Sequence, residues 1–326
     1  MNILITGATG AIGPNVVLAL HQAGHQIRTL SVDAPATGMF PQDVEVFSGD
    51  ITDTPAVQSA MQGMDAVVHM AALLHIVTPP PEMRARYEHI NIGGTETVVR
   101  AAVHEGVRRI VFFSTIAVYG PSCGQVLDEM SPTNPDTMYA QTKRAAERIV
   151  LEAKDAGDQP LGTVLRLGAV YGSRIKGNYE RLVRALARQR FIPVGTGHNR
   201  RTLIYDKDVA RAAVLAVSHP DAGGRIFNVT DGGFHTLNEI IRSICTALGR
   251  TPPRWSLPLA PTRSVIKTIE KVSRVFGNRA PVTQETLDKY TEDIAVDGSL
   301  IQKELGFVPQ YDLQAGWDDA IQEMRI

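Results

Sequence analysis

Residues 2–13, NILITGATGAIG, decide how the rest of the chain is read. A short apolar run leads into Gly7, Gly10 and Gly13, and the amphipathic stretch PNVVLALHQAG (14–24) follows. Glycine lets the backbone turn sharply between a strand and a helix. The missing side chains let a pyrophosphate approach the N–H groups around Ala11 and Ile12, where the helix dipole favours an anion. A glycine triplet alone is weak. Here it follows a strand, opens a helix and heads a chain whose first half keeps alternating between the two, so we read it as a dinucleotide cradle.

The alternation supports that reading. Strand-like runs fall at 2–7, 26–31, 44–49, 66–71, 109–115 and 162–168, separated mostly by amphipathic segments. Strands that read as continuous apolar runs are buried on both faces, which points to an α/β fold with a doubly wound parallel sheet of the Rossmann type. We expect a dinucleotide-binding domain over 1–170, with 202–229 returning to it. A smaller substrate-binding lobe is expected from 171–201 and 230–326. The capping box Thr236–Glu239 opens a helix in that lobe, which Gly249 closes.

Composition narrows the options. Of 326 residues 44% are hydrophobic and 21% charged, with a net charge of -1. That excludes a disordered chain and a globally basic nucleic-acid binder. No apolar run reaches the ~18 residues of a membrane span, and the N-terminus reads as a strand rather than a secretory leader. Cys123 and Cys245 are the only cysteines and lack metal-ligand spacing, so we expect no metal site, no membrane partner and a cytoplasmic location.

Tyr139 and Lys143, in YAQTK, stand four residues apart and so share a helix face. A neighbouring ammonium favours a phenolate, which could then exchange protons with a substrate hydroxyl. Chance produces a YxxxK match in roughly one such chain in five, so the pair needs company.

That company makes the chain resemble the extended short-chain dehydrogenases/reductases, especially the nucleotide-sugar epimerase/dehydratase group. The similarity runs through TGATGAIG, GDITD, VVHMAA, NIGGT, FFSTIAVYG, YAQTK, LRLGAVYG and RRTLIYDKDVARA, in that order. It implies that Asp50 and Ile51 hold an adenine, that Met70, Ala71 and Ala72 line the cofactor, and that Asn91 belongs to its site. It implies Thr115 as a second catalytic hydroxyl beside Tyr139 and Lys143. The cofactor is expected to be NAD, with NADP possible. Two roles are open to Asp33, the ribose-holding acid or a solvated turn residue.

Ile116 and Ala117 stand where dehydratases of this kind carry an Asp-Glu pair, so the resemblance implies epimerisation or reduction rather than elimination. From Arg166 to Arg211 there are eleven Lys/Arg and three acids, a local excess that suits a diphosphate. Asn178 and Arg201 match the family's diphosphate contacts; Lys176, His198 and Arg200 follow behind them. The expected partners are a nucleotide-diphosphate sugar and a second copy of the chain. A 4-keto-sugar reductase, a dehydrogenase of hydrophobic alcohols and a non-catalytic regulator remain the alternatives. His75 reads as structural.

Overall fold

Seven parallel strands form the centre of the computed structural model, which describes residues 1–74, 76, 79–275 and 283–325. His75 lies outside the described residues. The first half contains β1 (Asn2–Thr6), α1 (Gly13–Gln22), β2 (Gln26–Ser31), β3 (Glu45–Ser48), α2 (Thr54–Met61), β4 (Ala66–His69), α3 (Met83–Tyr87), α4 (Gly94–His104), β5 (Arg109–Thr115), β6 (Val126–Leu127) and α5 (Met138–Glu152). A short π-helical stretch, Glu88–Gly93, joins α3 to α4.

Next come β7 (Gly162–Leu167), β8 (Ala169–Tyr171), α6 (Asn178–Ala187), β9 (Arg200–Arg201), β10 (Leu203–Tyr205), α7 (Asp206–Ser218) and β11 (Arg225–Val229). The chain closes with β12 (His235–Thr236), α8 (Leu237–Ala247), α9 (Leu259–Val275), α10 (Gln284–Thr291), β13 (Ala295–Val296), α11 (Ser299–Leu305) and α12 (Leu313–Met324).

The sheet order is β11-β7-β5-β4-β1-β2-β3, and every neighbouring pair is parallel. This is the doubly wound α/β fold, and its direction of winding reverses between β1 and β4. The carboxyl ends of those two strands therefore open the crevice in which such sheets bind ligands. One face is covered by apolar side chains of α1, α7 and α11, the other by those of α2, α4 and α5. A third core, around Tyr171, Leu182, Ile240, Ile244 and Trp317, lies among α6, α8 and α12.

Two glycines are dictated by contact. A Cβ on Gly7, at φ +74°, would lie 2.8 Å from the Ala71 backbone, and one on Gly13 only 1.9 Å from the Ala8 carbonyl oxygen. The turn can therefore press against the end of β4. Further along, β7 ends one residue short of the expected run 162–168, and β8 begins just after Gly168. Its ideal Cβ would meet the Leu203 carbonyl at 3.2 Å, and β8 leaves the main sheet to pair with β10.

Helix α5 begins where Thr137 caps the Ala140 N–H and is rich in strong helix formers. Its inward face carries Ala140, Lys143, Ala146, Glu147 and Val150, so two charges are buried along with the apolar stripe. Glu147 is fully buried and paired with Arg166 of β7 through two bonds, Nε–Oε1 at 2.9 Å and Nη2–Oε2 at 2.7 Å. Ser114 of β5 donates to the same carboxylate at 2.6 Å. Arg166 Nη1 donates to the Tyr119 hydroxyl, which donates to Asn228 of β11.

Removing one member of such a pair strands a charge in low dielectric, at a cost of about 3–5 kcal/mol. Glu147→Gln and Arg166→Met should each be destabilised by about that much. The Glu147→Met/Arg166→Met double variant should lose clearly less than the sum, as measured by chemical denaturation in a double-mutant cycle.

Candidate active site

The glycine loop folds back on itself: Gly10 N–H bonds to the Gly7 carbonyl and Gly13 N–H to that of Gly10. Ile12, at the N-cap of α1, supplies no side-chain cap. Pro14 has no N–H, and Gly13 and Asn15 give theirs to the Gly10 and Ile12 carbonyls, so the groups placed for a pyrophosphate are those around Ala11 and Ile12. Ala11 lies in the same turn. The Thr9 N–H is held by Ser31 Oγ at the end of β2, 3.3 Å away, while Asp33 stands two residues further on and is exposed.

Asp50 turns one carboxylate oxygen to the Thr52 N–H and hydroxyl, and Ile51 is buried against Gly94. Met70, Ala71 and Ala72 follow β4 and are half-buried; the Met70 N–H bonds to the Thr6 carbonyl at 3.2 Å. These residues surround the crevice at the strand ends. Asn91 takes part differently. Its amide oxygen accepts from Leu73 N–H, and its nitrogen donates to Leu73 O and to Thr142 Oγ1. Both amide hydrogens are used, so Asn91 acts on the site by tying the loop after β4 to α5.

A buried line of hydrogen bonds, missed by the sequence reading, connects the two halves of this site. Thr95 Oγ1 spends its one hydrogen on the Asn91 carbonyl, so it must accept from His69 Nε2 at 3.0 Å. His69 Nδ1 is then the acceptor of the Thr6 hydroxyl at 2.7 Å, and Thr6 Oγ1 accepts from Ala71 N–H. One neutral tautomer satisfies the whole line. Burial, with the Lys143 charge added, holds His69 far below the usual imidazole range, at about 3. The line continues through Asn91 to Thr142, whose hydroxyl donates to the Tyr139 carbonyl at 2.9 Å. The signal available in sequence was a histidine and two threonines on otherwise apolar faces.

Tyr139 is half-buried at the start of α5, and Lys143 one turn later is only 2% exposed. Lys143 Nζ lies 4.0 Å from the centre of the Phe112 ring, a cation–π contact. Burial lowers the Lys143 ammonium to about 7, against the opposing pull of Glu147 one turn further on. Burial pushes the Tyr139 phenol up to about 12, with Tyr87 adding to the rise. The depression expected from the ammonium is therefore not present in the protein alone. Burial is the largest cause for both groups.

Thr115 ends β5 and caps the next turn, its oxygen accepting from Ala117 N–H at 3.2 Å. That role uses a lone pair and leaves the hydroxyl hydrogen to donate. In the lobe, Asn178 opens α6 and is exposed. Arg201 is half-buried, and its Nη2 donates to the carbonyls of Lys289 and Tyr290 at the end of α10. Tyr179, next to Asn178, is pushed up by burial, with the Arg201 charge opposing the rise. Arg200 is committed elsewhere, paired with Asp293 at 2.6 Å. Among the described residues no cluster of His, Cys, Asp or Glu could hold a metal ion.

A sheet of this topology, a glycine cradle at its switch point and a Tyr/Lys helix beside it define a dinucleotide-dependent enzyme of the extended short-chain type. Residues 3–230 match the NAD dependent epimerase/dehydratase family, and the chain belongs to that family. It is an enzyme, and its cofactor is NAD.

The chain is 28% identical to the UDP-glucose 4-epimerase of Vibrio cholerae, over 98% of its own length and 94% of that protein's. It is 26% identical, with the same two coverages, to the N-acetyl-alpha-D-glucosaminyl-diphospho-ditrans,octacis-undecaprenol 4-epimerase of Escherichia coli O157:H7. Among solved structures it is similar to MoeE5 in complex with UDP-glucose and NAD. There the TM-score is 0.78 at 26% identity, covering 100% of this chain and 99% of the other.

The buried lysine has a measurable signature. The unfolded chain holds the Lys143 proton up to about 10.5, whereas the native state releases it near 7. Stability contributed through this group therefore rises with pH between those values. Lys143→Met should melt a few degrees higher than wild type at pH 6, with the gain shrinking by pH 9, while turnover is lost. Scanning calorimetry at the two pH values checks the sign.

Proposed function

We propose that the protein is a nucleotide-sugar 4-epimerase that oxidises and re-reduces one sugar carbon, with Tyr139 as the acid/base. The observation that carries this is the placement of Tyr139 and Lys143 on the inward side of α5, beside the crevice at the β1/β4 switch point. The full-length similarity to two sugar 4-epimerases, both with diphosphate-linked substrates or a nucleotide sugar, supports the substrate class.

NAD, when bound, supplies the hydride acceptor and donor, and its positive ring favours the phenolate of Tyr139. Tyr139 takes the proton of the sugar hydroxyl and later returns it. Lys143 lowers the energy of the phenolate by charge, an effect strengthened by the water-poor pocket. Thr115 donates a hydrogen bond to the reacting oxygen. Asn178 and Arg201 hold the diphosphate, Arg201 with the donors it does not give to α10.

The absence of proton-transferring side chains at Ile116 and Ala117 weighs against dehydration. We infer a homodimer through α4 and α5, supported by the exposed Val103 and the groove it shares with Val99 and Ile149, and a cytoplasmic location, in keeping with the two free cysteines.

Incubation with UDP-glucose and UDP-galactose, and their N-acetyl and uronic counterparts, should give interconversion without net reduction of cofactor. Stoichiometric cofactor consumption on a 4-keto sugar would instead make the protein a reductase. Tyr139→Phe should lower kcat by about 10²–10⁴-fold with little change in KM. Full turnover in that variant would rule out the mechanism.

A further inference from the structure

Helix α9 leaves an apolar stripe in water. Ile266 is buried, and Leu259, Thr262, Glu270 and Ser273 join it on the side facing the protein. Val265, Ile269 and Val272, at i, i+4 and i+7, form a second stripe and are all exposed. Trp255, just before the helix, is 85% exposed, and Leu257 is exposed beside it. From Arg250 to Lys271 the sequence has five basic residues and one acid, in a chain whose net charge is -1. Arg250, Arg254, Arg263, Lys267 and Lys271 are all exposed. Arg263 reaches Asp288 of α10 and Glu270 accepts from Gln284 N–H, so the helix is moored to the lobe by its polar contacts.

We propose that α9 and the preceding Trp255 segment dock on the surface of an anionic phospholipid bilayer. An amphipathic helix with an aliphatic stripe and lysines on its polar side lies in the headgroup region, and an indole favours the same depth. The excess of positive charge selects anionic lipid, because juxtamembrane cations are drawn to the negative surface potential. None of the described helices is long and apolar enough to cross a membrane, and a surface-lying helix need not be. The expectation of no membrane partner rested on the length of apolar runs and so does not bear on this mode of contact. α10 packs between α9 and Arg201, so docking brings the substrate lobe to the lipid surface.

The test is vesicle co-sedimentation of the full chain, using phosphatidylglycerol-containing vesicles against pure phosphatidylcholine. Wild type should sediment with the anionic vesicles at low salt and dissociate at high salt. Ile269→Glu should weaken binding about tenfold or more. Lys267→Gln and Lys271→Gln should each weaken it roughly fivefold. All three variants should keep the wild-type melting temperature and UDP-sugar turnover, which separates failure of docking from failure of the catalytic reading. Equal binding to both vesicle types, or no binding by wild type, would overturn the proposal. So would unchanged binding by Ile269→Glu, or light scattering showing that this variant breaks a dimer instead.

Discussion

The ion pair between Glu147 and Arg166 is the interaction on which the rest of this site depends. Lys143 must be buried to face the crevice, and burial alone strips its charge. Glu147, one helical turn away, is the group that opposes this loss. A buried carboxylate would itself be untenable without Arg166 and Ser114, so the cation on α5 is maintained from β7 and β5. The sheet thus holds the carboxylate that faces the helix lysine. Arg166 in turn reaches Tyr119 and through it Asn228, so three adjacent strands, β5, β7 and β11, converge on one electrostatic problem.

The other side of the crevice is organised by neutral groups. Thr6, His69 and Thr95 each have one way to satisfy their neighbours, and together they run from the end of β1 to the Asn91 carbonyl. Asn91 then fixes the loop that carries Ala71 and Ala72 relative to Thr142, a neighbour of Lys143. A charged imidazole would donate from both nitrogens, and Nδ1 already accepts the Thr6 hydroxyl hydrogen. Neutrality at His69 is therefore a condition of the geometry, and burial, with the nearby lysine added, enforces it. The glycine turn and α5 are registered by hydrogen bonding as well as by packing.

Much of the fold was legible in sequence because its signals are local. Apolar runs gave the strands, and the glycine spacing gave the turn that Gly7 and Gly13 make by close backbone contact. The family motifs carried the membership that residues 3–230 bear out. What stayed hidden depends on three-dimensional burial. Lys143 and Glu147 look like solvated charges on a helix, yet both point inward. A spacing rule suggests that an ammonium acidifies Tyr139, and it does not register that desolvation acts on both groups with opposite effect. The motif points to Asn91 but does not show that its amide ties Leu73 to Thr142.

The lobe is less legible for a related reason. Its elements are short, β8, β9, β10, β12 and β13 being two or three residues each, and they pair in twos rather than in one sheet. Such strands carry too few residues to show a period. Arg201 illustrates the consequence. Its position in β9 is set by pairing with His235 of β12, but the direction of its guanidinium is set by carbonyls at the end of α10, almost ninety residues later. Substitutions in α10 can therefore change what Arg201 reaches without touching any motif. The sheet and α5 thus follow from strong local patterns, while the direction of Arg201 follows from distant, weakly patterned contacts.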